Sequence, residues 1–261
     1  MNKSIYIIII FVFNLKIGFS QVGGLSASKL GTYCAGTIPS KQIEFEPSFS
    51  FSSSTKMFDS NGTSQNLFLS SDSIQFSSSF GFRFTYGLFD NFEVGVSLPS
   101  DISSLSVGAK YKLPLDYKME FGLIAGYNAI VGNKVYVKRN LVNEATSSIV
   151  TGIIATYNSS EKFGFDFNAQ YFKHLYKNSN DEKQGFAISS DIAYYLLRNI
   201  NFISGFSYSF NNYSQLFTFN PGLAIENAQQ FILVLNTPID LFGKNNYKTK
   251  SFSLALTILL N

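Results

Sequence analysis

The sequence predicts an all-β protein, a transmembrane antiparallel up-and-down β-barrel of about twelve strands. Three observations carry this. Nearly every segment after residue 40 alternates large apolar with small or polar residues. Ile43, Phe45, Phe49 and Phe51 interleave with Gln42, Glu44, Glu46, Ser48 and Ser50, and Phe252, Leu254, Leu256, Ile258 and Leu260 with Ser251, Ser253, Ala255 and Thr257. Such period-two alternation gives a strand one apolar and one polar face. With 28 Phe and 15 Tyr, the summed apolar face is too extensive for a soluble core. A sheet closed on itself, with lipid outside and polar side chains or water inside, accommodates it. Third, charged residues make up 14% of the chain, against about 25% in soluble domains.

Taken in order, the chain opens with a candidate secretory leader over residues 1–20. Lys3 precedes the apolar run Ile5 to Phe13, and Gly18-Phe19-Ser20 supplies small residues for cleavage before Gln21. That run is well short of the ~20 residues of a spanning helix. Residues 21–41 then read as a periplasmic N-terminal segment able to plug the barrel, and residues 42–261 as the barrel. Without the leader the chain carries 18 basic and 17 acidic residues. That near balance, with no basic block, excludes a nucleic-acid partner. Cys34 is the single cysteine, so it has no internal disulfide partner.

The pattern yields twelve candidate strands, at 42–56, 73–86, 91–98, 104–113, 117–130, 146–157, 161–174, 185–197, 199–210, 215–225, 228–236 and 248–260. Ten or fourteen are also compatible with it, because 91–98 is short and Pro221 interrupts 215–225. Longer connections at 57–72, 99–103, 131–145, 175–184, 211–214 and 237–247 alternate with short turns. In outer-membrane barrels the short turns are periplasmic, and an even strand count puts both termini on that side. The first strand is expected to close on the last.

The two faces separate by parity. Phe76, Phe80, Phe84, Val107, Leu123, Ile153, Phe165, Ile192 and Phe202 share the lipid face. Arg83, Glu93, Lys110, Lys112, Glu120, Asp166 and Asp191 share the lumen face, together with Gly81, Gly95, Gly108, Gly122 and Gly126. Glycine there relieves crowding and permits curvature. Tyr86, Tyr111, Tyr117, Tyr157 and Tyr194 fall at periplasmic strand ends, where an aromatic girdle belongs. The lumen charges have two readings. They form either an eyelet that selects solutes by charge, or a salt-bridged filling of a narrow lumen. The filling is favoured, since small barrels are often packed by their own side chains.

The segment Tyr86-Gly87-Leu88-Phe89-Asp90-Asn91-Phe92-Glu93-Val94-Gly95-Val96, continued by Leu105-Ser106-Val107-Gly108-Ala109-Lys110-Tyr111-Lys112-Leu113, resembles a family of outer-membrane barrels associated with meta-pathway phenol degradation. Gly36-Thr37-Ile38-Pro39 and Glu44-Phe45-Glu46-Pro47 resemble that family's start. The resemblance covers residues 36–113 and implies a transporter-like barrel for small hydrophobic compounds.

The functional expectation is a bacterial outer-membrane, porin-like channel passing small solutes, with outer-membrane lipid and the barrel-assembly machinery as partners. A structural or adhesive barrel with a closed lumen is the alternative. A lipid-modifying barrel enzyme ranks third, and no catalytic residue is assigned. His174 is the one histidine; Ser179 and Asp181 lie nearby in a predicted loop, but no G-x-S-x-G elbow accompanies them. No cofactor is expected, and no metal-ligand spacing occurs.

Overall fold

The computed structural model describes residues 22–26, 32–69, 73–100, 102, 104–115, 118–130, 135–137, 140–142, 147–160, 162–175, 184–197, 199–227 and 231–260. The candidate leader, Tyr117, Ser179 and Asp181 lie outside them. In chain order the strands are β1 (Ile43–Phe58), β2 (Ser64–Asn66), β3 (Gln75–Phe89), β4 (Phe92–Pro99), β5 (Ser104–Lys112), β6 (Met119–Ile130), β7 (Val135–Val137) and β8 (Asn140–Val142). They continue as β9 (Ser148–Ser160), β10 (Phe163–His174), β11 (Gln184–Leu197), β12 (Ile200–Asn211), β13 (Gln215–Asn227), β14 (Phe231–Asn236), β15 (Ile239–Lys244) and β16 (Asn246–Leu260).

These form a closed antiparallel barrel with a twelve-strand wall, in which β14 and β15 are two halves of the eleventh strand. The strand count and the closure match the sequence expectation. β1 pairs with β16 along its length, from Ile43 opposite Leu260 to Phe58 opposite Asn246. The extra strands stand on the long loops: β2 folds back on the end of β1, and β7 and β8 make a small hairpin of their own.

The long loop that the sequence predicts at 237–247 is replaced by wall. The strand resumes at Ile239 and reverses at Asn245, whose φ of 50° is the left-handed conformation asparagine tolerates in tight turns. The break that misleads the sequence reading is local. Pro221 on β13 faces the gap between Asn236 and Ile239, which holds Pro238. Neither proline has an N–H for the ladder. Thr237 N–H still donates to Pro221 O at 3.0 Å and Ser251 N–H to Pro238 O at 3.2 Å, so the wall holds across the break. Part of the expected loop 57–72 is β2, part of 131–145 is the β7–β8 hairpin, and the turn predicted at Gly87–Asp90 is shorter because β3 runs on to Phe89.

Burial is inverted relative to a soluble domain. Phe76 is 59% and Ile153 56% exposed, whereas Glu93, Lys110 and Asn201 are fully buried. Outward aromatics pair across strands, with Phe45 and Phe84 centroids 4.8 Å apart and Phe217 stacked on Phe242 at 4.7 Å. Such cross-strand pairs stabilise the sheet and fix its register. Replacing Ile153, in the middle of β9, by Arg should therefore destabilise the barrel by about 2–4 kcal/mol when refolded into lipid vesicles. Ser253→Arg, on the inward parity of β16, should cost much less; equal costs would contradict the face assignment.

Candidate functional site

The lumen is occupied by residues 22–26 and 32–38, which precede the first strand. Val22, Leu25, Ser26, Thr32, Tyr33, Ala35 and Ile38 are all buried, and the segment lies against the inner faces of β3 to β6, β9 and β10. Val22, Leu25, Tyr33 and Ala35 pack with Ile124, Val150, Ile154 and Phe172, inward side chains of β6, β9 and β10. An apolar core thus sits inside the barrel, where the polar parity of the wall gives little sign of it.

Backbone room comes from glycine. Gly95, Gly108 and Gly126 are in register across β4, β5 and β6 and make a side-chain-free lane. A Cβ on Gly95 would lie 1.6 Å from Gly24 O, one on Gly108 2.5 Å from Gly23 O, and one on Gly126 2.7 Å from Val22 Cγ1. Gly24 itself has φ +82°, with its own Cβ position filled by the β4 backbone. The lane is therefore a seat for residues 22–24, beyond any relief of wall curvature.

The charged residues hold the segment by its backbone. Glu93 and Lys110, opposite each other on β4 and β5, form an ion pair at 3.1 Å with both side chains fully buried. Glu93 accepts from Ser26 N–H at 2.9 Å, Ser26 Oγ at 2.8 Å and Ile38 N–H at 2.9 Å. Lys110 Nζ donates to Ser26 Oγ at 2.6 Å, Ser26 O at 3.0 Å and Cys34 O at 3.1 Å. Each charge thus has both an opposite charge and polar partners, the condition under which a buried ion pair is tolerated. Arg83 on β3 bonds Leu25 O and also pairs with Glu46 at 2.5 Å and Glu44 at 2.7 Å on β1. Thr257 Oγ1 on β16 donates to the same Glu46 oxygen at 2.6 Å, which ties the closing seam from inside. Thr85 Oγ1 donates to Gly24 O at 2.7 Å, and Val22 N–H donates to Gln170 at 3.1 Å. Thr156 Oγ1 accepts from Ala35 N–H at 2.8 Å and donates to Asp166 at 2.5 Å.

The charges that the sequence places on the lumen face therefore do not form one ring. Arg83 joins Glu44 and Glu46, Glu93 joins Lys110, and Lys112 joins Glu120 at 2.6 Å in a pair about one-third exposed. Asp166 and Asp191 face each other in register, Asp166 held by Thr156 and Asp191 buried beside Gly205. Tyr86, Tyr111 and Tyr194 are exposed on the outer wall and Tyr157 is half-buried. Sequence reasoning misses Glu44, Glu46, Thr156 and the acceptors on residues 24–26 and 34. The three aligned glycines are the available signal for the seat. His174 stands opposite Ser148 and edge-on to Phe172 at 5.4 Å. Among the described residues no His, Cys, Asp and Glu cluster could hold a metal ion.

A cavity of about 350 Å³ remains beside the segment. Gly23, Leu25 and Tyr33 of the segment line it together with wall residues that include Arg83, Ser97 and Ser106. Burial raises the Tyr33 phenol to about 12 against the opposing pull of Arg83, so it stays a neutral donor to Val22 O. Burial also pushes the half-buried Cys34 thiol up, against the pull of Lys110.

No family model and no curated protein sequence matches the chain. Solved structures do. The COG4313 outer membrane channel from Pseudomonas putida F1 superposes with a TM-score of 0.69 at 14% identity, over 87% of this chain and 98% of that one. The NanC porin reaches 0.53 at 7% identity, over 83% of this chain and 98% of its own. The KdgM porin in complex with oligogalacturonate reaches 0.51 at 9%, over the same shares. The fold is that of an outer-membrane barrel.

The seat generates two expectations. Glu93→Gln should leave the Lys110 charge buried without its partner and cost about 3–5 kcal/mol in urea unfolding, with Glu93→Gln/Lys110→Met recovering part of the loss. An unchanged stability would mean that the pair contributes nothing. Maleimide labelling of Cys34 should be slow at neutral pH, because only the thiolate reacts. It should accelerate in Gly95→Val, which cannot seat Gly24; equal rates would place the segment elsewhere.

Proposed function

We propose that the chain is an outer-membrane channel for small solutes, held closed by its N-terminal segment, residues 21–41. The observation that carries this is how the segment is bound. It is not a strand of the wall; besides the apolar packing of Val22, Leu25, Tyr33 and Ala35, it is fixed by hydrogen bonds that it donates to Glu93, Thr156 and Gln170 and accepts from Lys110, Arg83 and Thr85. The bonds to neutral groups contribute about 0.5–1.5 kcal/mol net each and those to the charged groups about 1.5–3 kcal/mol, and water can replace them when the segment withdraws. A barrel whose lumen served only for rigidity would need no detachable filling. Likeness of fold to channel and porin barrels supports the reading, although fold alone does not set function.

Arg83, Glu93 and Lys110 act first as anchors of the segment and Asp166 holds the anchor Thr156, while Lys112, Glu120 and Asp191 share the same lumen face. They become a charged lumen lining once the segment leaves. The solute class follows from the resemblance of residues 36–113 to barrels associated with phenol degradation. It also accords with the cavity beside Leu25 and Tyr33, which offers apolar and aromatic walls with Arg83 and serines as polar contacts. We therefore assign small, largely hydrophobic solutes with a polar group. Residues 1–20 serve as a cleaved leader, and insertion requires the barrel-assembly machinery.

The competing reading, a structural barrel with a permanently closed lumen, draws on the far side of the interior. There Ile203, Ala224 and Val234 pack together, and Asn201 and Ser189 are buried. Planar-bilayer recordings separate the two. The intact chain should conduct little and in brief events, and a chain lacking residues 22–40 should conduct steadily. A deletion variant that folds but remains closed would favour the structural barrel.

A further inference from the structure

The outer wall at the barrel seam carries a second built feature, a depression of about 410 Å³. Ile239, Lys250, Ser53 and Phe76 stand side by side across β15, β16, β1 and β3, each in register with the next. Small Ser53 between Lys250 and Phe76 leaves the hollow, and Lys56 and Lys248, themselves paired across β1 and β16, close its upper edge. Phe76 and Ile239 are exposed. Lys248 Nζ lies 5.4 Å from the Phe58 ring, which holds it near the hollow. Among the described residues none of the three lysines is in an ion pair. Asp240, at the floor, is committed to donors of the wall: Thr218 Oγ1 at 2.8 Å, Thr249 N–H at 2.9 Å and Thr249 Oγ1 at 2.5 Å.

The height of the hollow identifies its occupant. On β16 the outward apolar run extends from Leu260 to Phe252, which is about 27 Å of strand, or about 21 Å vertically at a tilt of about 40°. That nearly fills the ~25 Å apolar band of an outer-membrane barrel. Lys250 therefore stands at the upper edge of the band, where the headgroups of the leaflet begin, on the side away from the paired Ile43 and Leu260. A lower edge formed by Phe76 and Ile239, continuous with the lipid face, and three cations on the rim, with the Asp240 carboxylate already committed to the wall, match a molecule that is apolar below and anionic above.

We propose that this depression binds the phosphate-bearing headgroup of a lipid in the outer leaflet. Lys56, Lys248 and Lys250 contact the phosphate, and Phe76 and Ile239 contact the start of the acyl chains. It is a site on the outer wall, independent of the lumen and of any solute passing through it.

The test uses the purified full chain in neutral detergent, titrated with lipid A bearing both phosphates and followed by native mass spectrometry. One lipid should be retained per barrel. Replacing each lysine by Gln should weaken retention about fivefold, and Lys56→Gln/Lys248→Gln/Lys250→Gln together about a hundredfold. Ser53→Trp, which fills the hollow and keeps all three charges, should also abolish retention. Heat-modifiable gel mobility establishes that each variant is folded. Equal retention of dephosphorylated lipid A, or unchanged retention by the triple variant or by Ser53→Trp, overturns the proposal. So does displacement of the lipid by inorganic phosphate at equal concentration, which would make this a free-anion site.

Discussion

The constraint on which the structure depends is that no backbone N–H or C=O can face lipid unpaired. A strand edge inside a bilayer leaves a row of groups that each cost several kcal/mol, so the sheet closes on itself. The β1–β16 seam supplies that closure along the whole of β1, and the Arg83–Glu46–Thr257 contacts brace it from within. Closure has two consequences. It separates an apolar outside from a polar inside, and it creates an interior that the wall's small side chains leave incompletely filled.

The N-terminal segment answers the second of these. Glycines aligned on three neighbouring strands admit its backbone, and buried charges that would otherwise be costly find partners on it. The Glu93–Lys110 pair illustrates the dependence in both directions: the segment supplies Ser26, Cys34 and Ile38 as polar partners, and the pair supplies the segment's anchor. Wall and segment thus stabilise each other through these polar contacts and through the apolar cluster of Val22, Leu25, Tyr33 and Ala35 with Ile124, Val150, Ile154 and Phe172. On the outside, the same seam that closes the sheet gathers the three lysines at the edge of the apolar band.

Much of the fold is legible in the sequence because one physical signal, period-two alternation, repeats in nearly every wall strand. Phe252 to Leu260 can be read off as lipid-facing without any tertiary information, and the closure of first strand on last follows from the even count. What is not legible depends on contacts between distant residues. The break at Pro221 and Pro238 looks like a loop in one dimension and is a continuous wall in three. Glu44 and Glu46 look like ordinary polar-face residues, because nothing local says that Arg83 will reach them. Gly95, Gly108 and Gly126 are visible on the polar parity, but only their register across strands reveals a lane, and only the seated segment explains it.

Residues 22–26 and 32–38 lie against the inner wall, with the backbone amides of Val22, Ser26, Ala35 and Ile38 bonded to it. Amide hydrogen exchange, followed by NMR on the folded protein in detergent, tests this placement. The amides of Val22, Ser26, Ala35 and Ile38, which donate to Gln170, Glu93, Thr156 and Glu93, should exchange far more slowly than those of a free chain. Glu93→Gln should selectively accelerate Ser26 and Ile38. Exchange of these four amides at free-chain rates, while the amides of β6 and β9 remain protected, would contradict it.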